Sequence, residues 1–392
     1  MRSKVVKSFL KVKVAVAGLI IIAVIFVMAL LAYAIAPDNT PYANDQQITL
    51  SNLKPGTEIS FIRLKTNKKT ETTSWLKGLL YGFPSEYRHI PFKNYNIKGD
   101  SIFIEEYGST AQTKFQSTYH LVDLFYAIDR NTPIKKTNDN YLFQTDDNRK
   151  KRISSQNLKA ELEEKAVSTQ TFLLGTDRFG RDLLSRIIVG SRISISVGFI
   201  AVGISLIVGI VLGLMGGYFG GIIDKTVMWL INVVWSIPTL LLVIAISMVL
   251  GKGFWQIFLA VGLTMWVEVA RVVRGQVKSL KEKDFVISAK VLGISNSRIM
   301  FRHILPNTTG PLIVISAANF ATAILLEAGL SFLGIGVQPP MPSWGNMIRD
   351  HYGYIVVDQA YLAIVPGLAI MLIVWAFNVL GYGLRDAFDV KN

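Results

Sequence analysis

Asp-Phe-Val-Ile-Ser-Ala-Lys-Val-Leu-Gly-Ile-Ser-Asn-Ser-Arg-Ile-Met-Phe-Arg-His-Ile-Leu-Pro, residues 284–306, lies inside a polar interruption, residues 271–307, between two long apolar runs. Phe285, Ala289 and Leu292 recur at spacings of four and three, with Val286 alongside. That period predicts a short helix with one narrow apolar face. Gly293 can turn left-handed just past the helix end. Ser295 is placed to cap a second helix, with Ile294 and Ile299 as a hydrophobic staple. Pro306 is expected to stop that second helix, because Leu305 before it is biased towards extended backbone. A helix this short needs a partner surface to be stable.

Working outward, six apolar runs are long enough to cross a bilayer, at residues 14–36, 193–215, 227–250, 254–273, 311–333 and 361–383. Hydrophobic residues make up 51% of the chain and charged residues 17%, so composition alone indicates a membrane protein. The first run is too long for a cleaved signal core and is expected to be a retained anchor. In the second run Gly198, Gly203, Gly209 and Gly213 permit close helix packing, and Pro238 is expected to kink the third without ending it. The formal charge of +14 invites a nucleic-acid reading, but the basic residues argue against it by their location. Residues 37–170 hold 19 Lys or Arg against 16 Asp or Glu, and most of the remaining basic residues flank apolar runs. There is no cysteine, which excludes disulfides, cysteine-zinc sites and thiol chemistry.

With the N-terminus inside, the inner segments carry five basic residues before the first run, Lys225, eight from Arg271 to Arg302, and Arg385 and Lys391. The short outer loops carry only Lys252 and Arg349. This bias predicts that both termini are cytoplasmic. Residues 37–170 then form an extracytoplasmic insertion, with strands expected near residues 58–65 and 101–104 and a charged helix at 158–166. Residues 171–192 are expected to form an interfacial segment, with Leu183, Leu184 and Ile187 on one side and Arg181 and Arg186 at the membrane surface. Residues 193–383 form the helical core, with a polar cytoplasmic segment at 274–307, and residues 384–392 form a tail.

Two acids fall within apolar runs, where ionisable groups are expensive unless paired or facing water. Glu268 is expected to pair with Arg271 at helical spacing. Glu327 has no local partner, leaving open a pathway or gating role, protonation, or an interhelical hydrogen bond. Gly251-Lys252-Gly253 lacks the spacing and terminal hydroxyl of a phosphate loop, so any nucleotide hydrolysis is expected on another chain. The four histidines show no metal-ligand spacing, and no nucleophile-base arrangement is evident.

Residues 284–306 resemble the cytoplasmic signature of ABC importer permeases, in which a Glu-Ala-Ala element is followed by glycine and then Leu-Pro. Ala289, Gly293, Leu305 and Pro306 stand at matching places, while Ile287 replaces the glutamate and Ser288 the first alanine. Leu174-Gly175-Thr176-Asp177 with Gly180-Arg181-Asp182, and the loop from Leu330 to Asn346, resemble segments of the dipeptide and oligopeptide group. Together the three ordered motifs cover residues 174–386.

The resemblance implies an all-α membrane protein of type I ABC importer permease architecture, six transmembrane helices with a β-rich or α+β insertion between the first and second. It implies a permease subunit passing di- or oligopeptides by alternating access, without an ATPase site of its own. The implied partners are a second permease, two ATPase subunits that bind ATP and Mg, an extracytoplasmic solute-binding protein, and membrane lipid. Asp284, Phe285, Ala289, Lys290, Gly293, Arg298, Leu305 and Pro306 are the implied coupling residues. Nickel or another small solute as cargo, and a membrane sensor or scaffold using the outer insertion, are the alternatives.

Overall fold

A computed structural model of the protein describes residues 2–67, 74–109, 115–137, 139–251 and 253–389. Lys252 and Lys391, counted above, lie outside the described residues. The chain divides into a helical unit, Met1–Leu30 with Ile187–Asn392, and an insertion unit, Leu31–Arg186.

In the helical unit, α1 is Arg2–Lys11 and α2 is Lys13–Leu30. The first span therefore ends six residues before the expected Ala36, and a separate turn, α3 (Ala32–Ile35), follows in the insertion unit. The helix α6, Leu183–Phe219, begins ten residues earlier than its apolar run, since nothing in residues 183–192 interrupts a helix. Further on, α9 spans Phe254–Lys281, α11 spans Asn296–Phe332, α12 is Trp344–His351 and α13 spans Tyr361–Asp389. Among the described residues five helices are long and apolar enough to cross a membrane, or six if α7 (Gly221–Trp235) and α8 (Thr239–Leu250) count as one broken span.

Pro238 does more than kink that span, because α7 and α8 meet at 93°. Proline lacks the N–H that the preceding turn would need, its ring collides with that turn, and it disfavours helical backbone at Ile237. The packing of α6 on α9 depends on small residues at every fourth position. A side-chain carbon on Gly213 would stand 2.7 Å from the Ala270 carbonyl oxygen and from Val273, and Gly209 and Gly217 meet Val269 and Val277 as tightly. Absent side chains let the two backbones approach, the usual means of helix association in lipid. Gly198 likewise accepts the Phe320 ring, whereas Gly203 faces no heavy atom within 4 Å and plays no part.

The insertion unit is built on a five-stranded antiparallel sheet of order β4-β3-β2-β1-β8, with β1 Thr57–Lys65, β2 Tyr87–Lys98, β3 Ser101–Glu106, β4 Gln116–His120 and β8 Val167–Phe172. A second sheet, β5-β6-β7, comprises Lys135–Thr137, Asn140–Gln144 and Lys150–Ser154. Ile62 and Leu64 join Ile90, Ile102, Ile104 and Leu121 in the main core, while Ile59 and Phe61 pack with Leu50 and Phe172 in another cluster. Both faces of β1 are thus covered, and its apolar alternation is incomplete in the sequence for that reason. Helix α5, Ser155–Glu161, continues as a π turn, Leu162–Ala166, close to the expected charged helix. A short helix α4, Trp75–Tyr81, completes the unit. A boundary at residue 170 would cut β8, and residues up to Arg186 belong with the insertion.

Candidate functional site: the bend at residues 284–306

Helix α9 ends at Lys281, Lys283 is extended, and α10 runs Asp284–Val291. Gly293 has φ +73°, and its N–H donates to the Lys290 carbonyl at 3.0 Å while that of Ile294 donates to Ala289 at 3.1 Å. These two bonds close a Schellman motif, satisfying carbonyls that the helix end leaves free. The bend is therefore a defined structure fixed by one glycine.

Val286 and Ala289 are buried in a cluster with Leu214 and Tyr218 of α6, Val273 and Val277 of α9, and Ile299, Met300 and Ile304 of α11. Ile294 and Ile299 share this cluster, as the staple requires. The inward face of α10 is Val286 and Ala289 rather than Phe285, Ala289 and Leu292. Phe285 and Ile287 are exposed, and Val291 and Leu292 are 82% and 77% exposed. The tyrosine at the end of α6 pins the bend, since Tyr218 Oη donates to Asn296 Oδ1 at 2.8 Å and Lys290 Nζ sits 5.1 Å from the Tyr218 ring centre.

Two local expectations need correction. Ser295 makes no capping bond through its side chain, although its backbone is extended as a cap should be. Pro306 does not stop the helix, because α11 runs through it as a π segment, Ile299–Ile304, then a 3-10 turn, Leu305–Thr308, then regular helix. Leu305 is helical at φ −54°, ψ −42°. Pro306 falls at the start of the tighter turn, where no backbone N–H is demanded of it. Asp284, Lys290 and Arg298 are exposed around the bend, Ala289 is buried, Leu305 is half-buried and Pro306 exposed.

The start of α7 and the last turns of α9 are joined by an ionic knot no local pattern announced, for its members are about fifty residues apart. Arg274 Nη2 and Lys278 Nζ reach Asp224 Oδ2 at 2.9 and 2.8 Å. The expected Glu268–Arg271 pair is not formed: Glu268 is exposed, and the Arg271 guanidinium stacks 3.4 Å from the Trp235 ring centre. Glu327, at the far end of α11 from the bend, is fully buried. Its Oε1 accepts from Ser331 Oγ at 2.7 Å, and Ser343 Oγ lies 3.3 Å from Ser331 Oγ. The loop from Leu330 to Asn346 enters the helical unit, with Trp344 buried and its Nε1 donating to the Ile187 carbonyl at 3.0 Å.

Within the insertion unit, Arg181 and Arg186 are not surface groups at a membrane interface. Both are buried around Asp177, with Arg181 Nη2 at 2.6 Å and Arg186 Nε at 3.7 Å from Asp177 Oδ2. Asp177 Oδ1 also accepts from the N–H groups of Phe179 and Arg181 at 2.8 and 3.0 Å. Burial pushes the Asp182 carboxyl above the usual carboxylate range, against the lowering effect of bonds from Ser185, and nearby Asp38 is raised by burial too. The spacing Thr-Asp…Gly-Arg-Asp is explained by this fold-stabilising node, with Gly180 at φ +72° in its turn.

Residues 209–391 match the family described as binding-protein-dependent transport system inner membrane component, and residues 2–55 match the N-terminal TM domain of oligopeptide transport permease C. The chain is 44% identical over 217 residues to a dipeptide transport system permease protein, DppC, of Alkalihalophilus pseudofirmus, covering 55% of this chain and 71% of that one. It is 41% identical to the oligopeptide transport system permease protein OppC of Bacillus subtilis over the same shares. It is also 41% identical to the glutathione transport system permease protein GsiD of Pectobacterium atrosepticum, over 56% of this chain and 72% of that one. The residues between the two family matches, 56–208, contain most of the insertion unit.

Proposed function

The chain belongs to the family of binding-protein-dependent transport system inner membrane components, and from that premise we propose that it is a permease subunit through which an ATP-driven importer passes di- or oligopeptides. Membership and the long apolar helices make it a multi-pass protein of an inner membrane. The names of its relatives support a peptide cargo.

In this reading the broken helix α7–α8 supplies a sixth span, both termini are cytoplasmic, and the path opens alternately to each side as the spans move. ATP and Mg are bound by two ATPase partners, a second permease completes the path, and a solute-binding protein delivers cargo from outside. The observation that carries the reading is the outer surface of α10 and its bend. Phe285, Ile287, Val291 and Leu292 leave large apolar side chains in water on an element whose other face is locked onto three membrane helices. Isolated apolar residues on a surface are ordinary, but a cluster on one rigid projection marks a contact site. Asp284, Lys290 and Arg298 give it a charged rim. With Ile287 where the family signature has glutamate, docking here rests on apolar contact and shape.

The test is Leu292→Asp. Covering a leucine side chain contributes about 1.5–3 kcal/mol, and burying an unpaired carboxylate adds to the loss, so association with the ATPase chains should weaken by about a hundredfold or more. Copurification of the ATPase chains undiminished in the variant would refute the docking role. Gly293→Val strains a left-handed position by about 1–2 kcal/mol, and the expected result in reconstituted vesicles is ATP hydrolysis that no longer drives uptake.

A further inference from the structure

Residues 74–83 read Ser-Trp-Leu-Lys-Gly-Leu-Leu-Tyr-Gly-Phe and form α4 with its closing turn. On seven residues, Trp75, Leu76, Leu80 and Tyr81 are each between 58% and 66% exposed. A helix of two turns has no stability of its own, and water is a poor solvent for four such side chains.

The structure nevertheless fixes α4 firmly. The Phe83 ring covers Gly78, the Phe83 N–H donates to the Asn39 carbonyl at 2.8 Å, and Gly82, at φ +88°, lies against Pro41. The helix also packs on α3, Ala32–Ile35. Its level is thus set by residues 32–41, and these follow α2 directly along the chain. The 18 residues of α2 span about 27 Å, close to the roughly 30 Å of a hydrocarbon core. Residues 31–35 are therefore where the chain leaves the hydrocarbon, and Leu31 and Ile35 are themselves exposed apolar residues.

We propose that α4 is an interfacial anchor, its Trp75, Leu76, Leu80 and Tyr81 seated among lipid headgroups and upper acyl chains in the leaflet where the first span ends. Tryptophan and tyrosine are the residues that favour this boundary. The anchor holds the root of the insertion unit to the membrane surface. The proposal rests on the chain's being membrane-spanning and is independent of its cargo.

The chain has no cysteine, so single-cysteine variants of the full protein can be labelled without background. Leu76→Cys and Leu80→Cys, exposed positions whose replacement leaves the core intact, would each carry an environment-sensitive fluorophore in phospholipid vesicles doped with a lipid spin-labelled near its headgroup. Val24→Cys, on the exposed side of α2, is the membrane control, and Lys150→Cys on β7 is the aqueous one. Quenching at 76 and 80 severalfold stronger than at 150 is the expected result. Equal quenching at 76, 80 and 150 with Val24 strongly quenched overturns the anchor alone, and loss of quenching at Val24 as well overturns the membrane-spanning reading beneath it. Labels at 76 and 80 that escape lipid quenching yet are shielded from aqueous iodide would show a protein covering the helix, which also overturns the proposal.

Discussion

Replacing Asp177 by asparagine should unlock the turn that closes the insertion unit. Asp177 is fully buried and is the anion between two buried guanidiniums, Arg181 and Arg186, whose nearest nitrogens stand 2.6 and 3.7 Å from its Oδ2. Asparagine preserves shape and one acceptor oxygen but removes the negative charge that Arg181 pairs with at 2.6 Å. Removing one partner of a buried pair costs about 3–5 kcal/mol, a large share of the roughly 5–15 kcal/mol that holds a domain together. Arg181 keeps Nη1 on Asn44 Oδ1 at 3.1 Å, a neutral contact that cannot replace the lost charge. Hydrogen exchange of the amides in residues 176–186, measured on the full chain in detergent, should accelerate by about a hundredfold to several thousandfold, limited by the unit's total stability. The double variant Asp177→Asn with Arg181→Met removes the more tightly paired cation as well, so its cost should fall below the sum of the two single costs by more than about 1 kcal/mol. Exchange in Asp177→Asn unchanged from the parent would refute the reasoning, since a dispensable counter-charge means that the arginines are solvated after all.

Other outcomes follow from the packing and the titrating groups. Gly213→Val should lower thermal stability by about 1–3 kcal/mol through collision with α9, whereas Gly203→Val, facing open space, should leave melting nearly unchanged; equal effects would exclude the close α6–α9 contact. The raised carboxyl of Asp182 works in the opposite sense to ordinary acid unfolding. Its proton favours the folded unit, so its contribution is complete below the unfolded value of 3.8 and is lost as pH rises through the raised folded value. Asp182→Asn should therefore flatten the pH dependence of the unit's melting above the unfolded value of 3.8, and an unaltered profile would count against a buried, proton-binding carboxyl there.

The bend at residues 284–306 was legible because its signals are local. Helical spacing, a glycine at C′ and a staple pair act over four or five residues, and the structure uses all three. Apolar length marked the spans for the same reason, since a membrane tests every twenty-residue segment by itself. The errors share the opposite cause. Which side of α10 faces inward depends on α6, α9 and α11, so Val286 could be put on the buried face and Leu292 in water only once those helices were in place. Pro306 reads as a stop until the π turn before it removes the demand for its N–H. Arg181 and Arg186 read as surface groups until Asp177 folds between them, and Asp224 finds Arg274 and Lys278 across fifty residues of chain. By itself the sequence determined a membrane-spanning chain with a large polar insertion and a helix-glycine bend between spans, each written in neighbouring residues. Only the tertiary structure decided which faces are buried, which charges are paired and which apolar side chains stay exposed, because those depend on what distant segments bring to the same place.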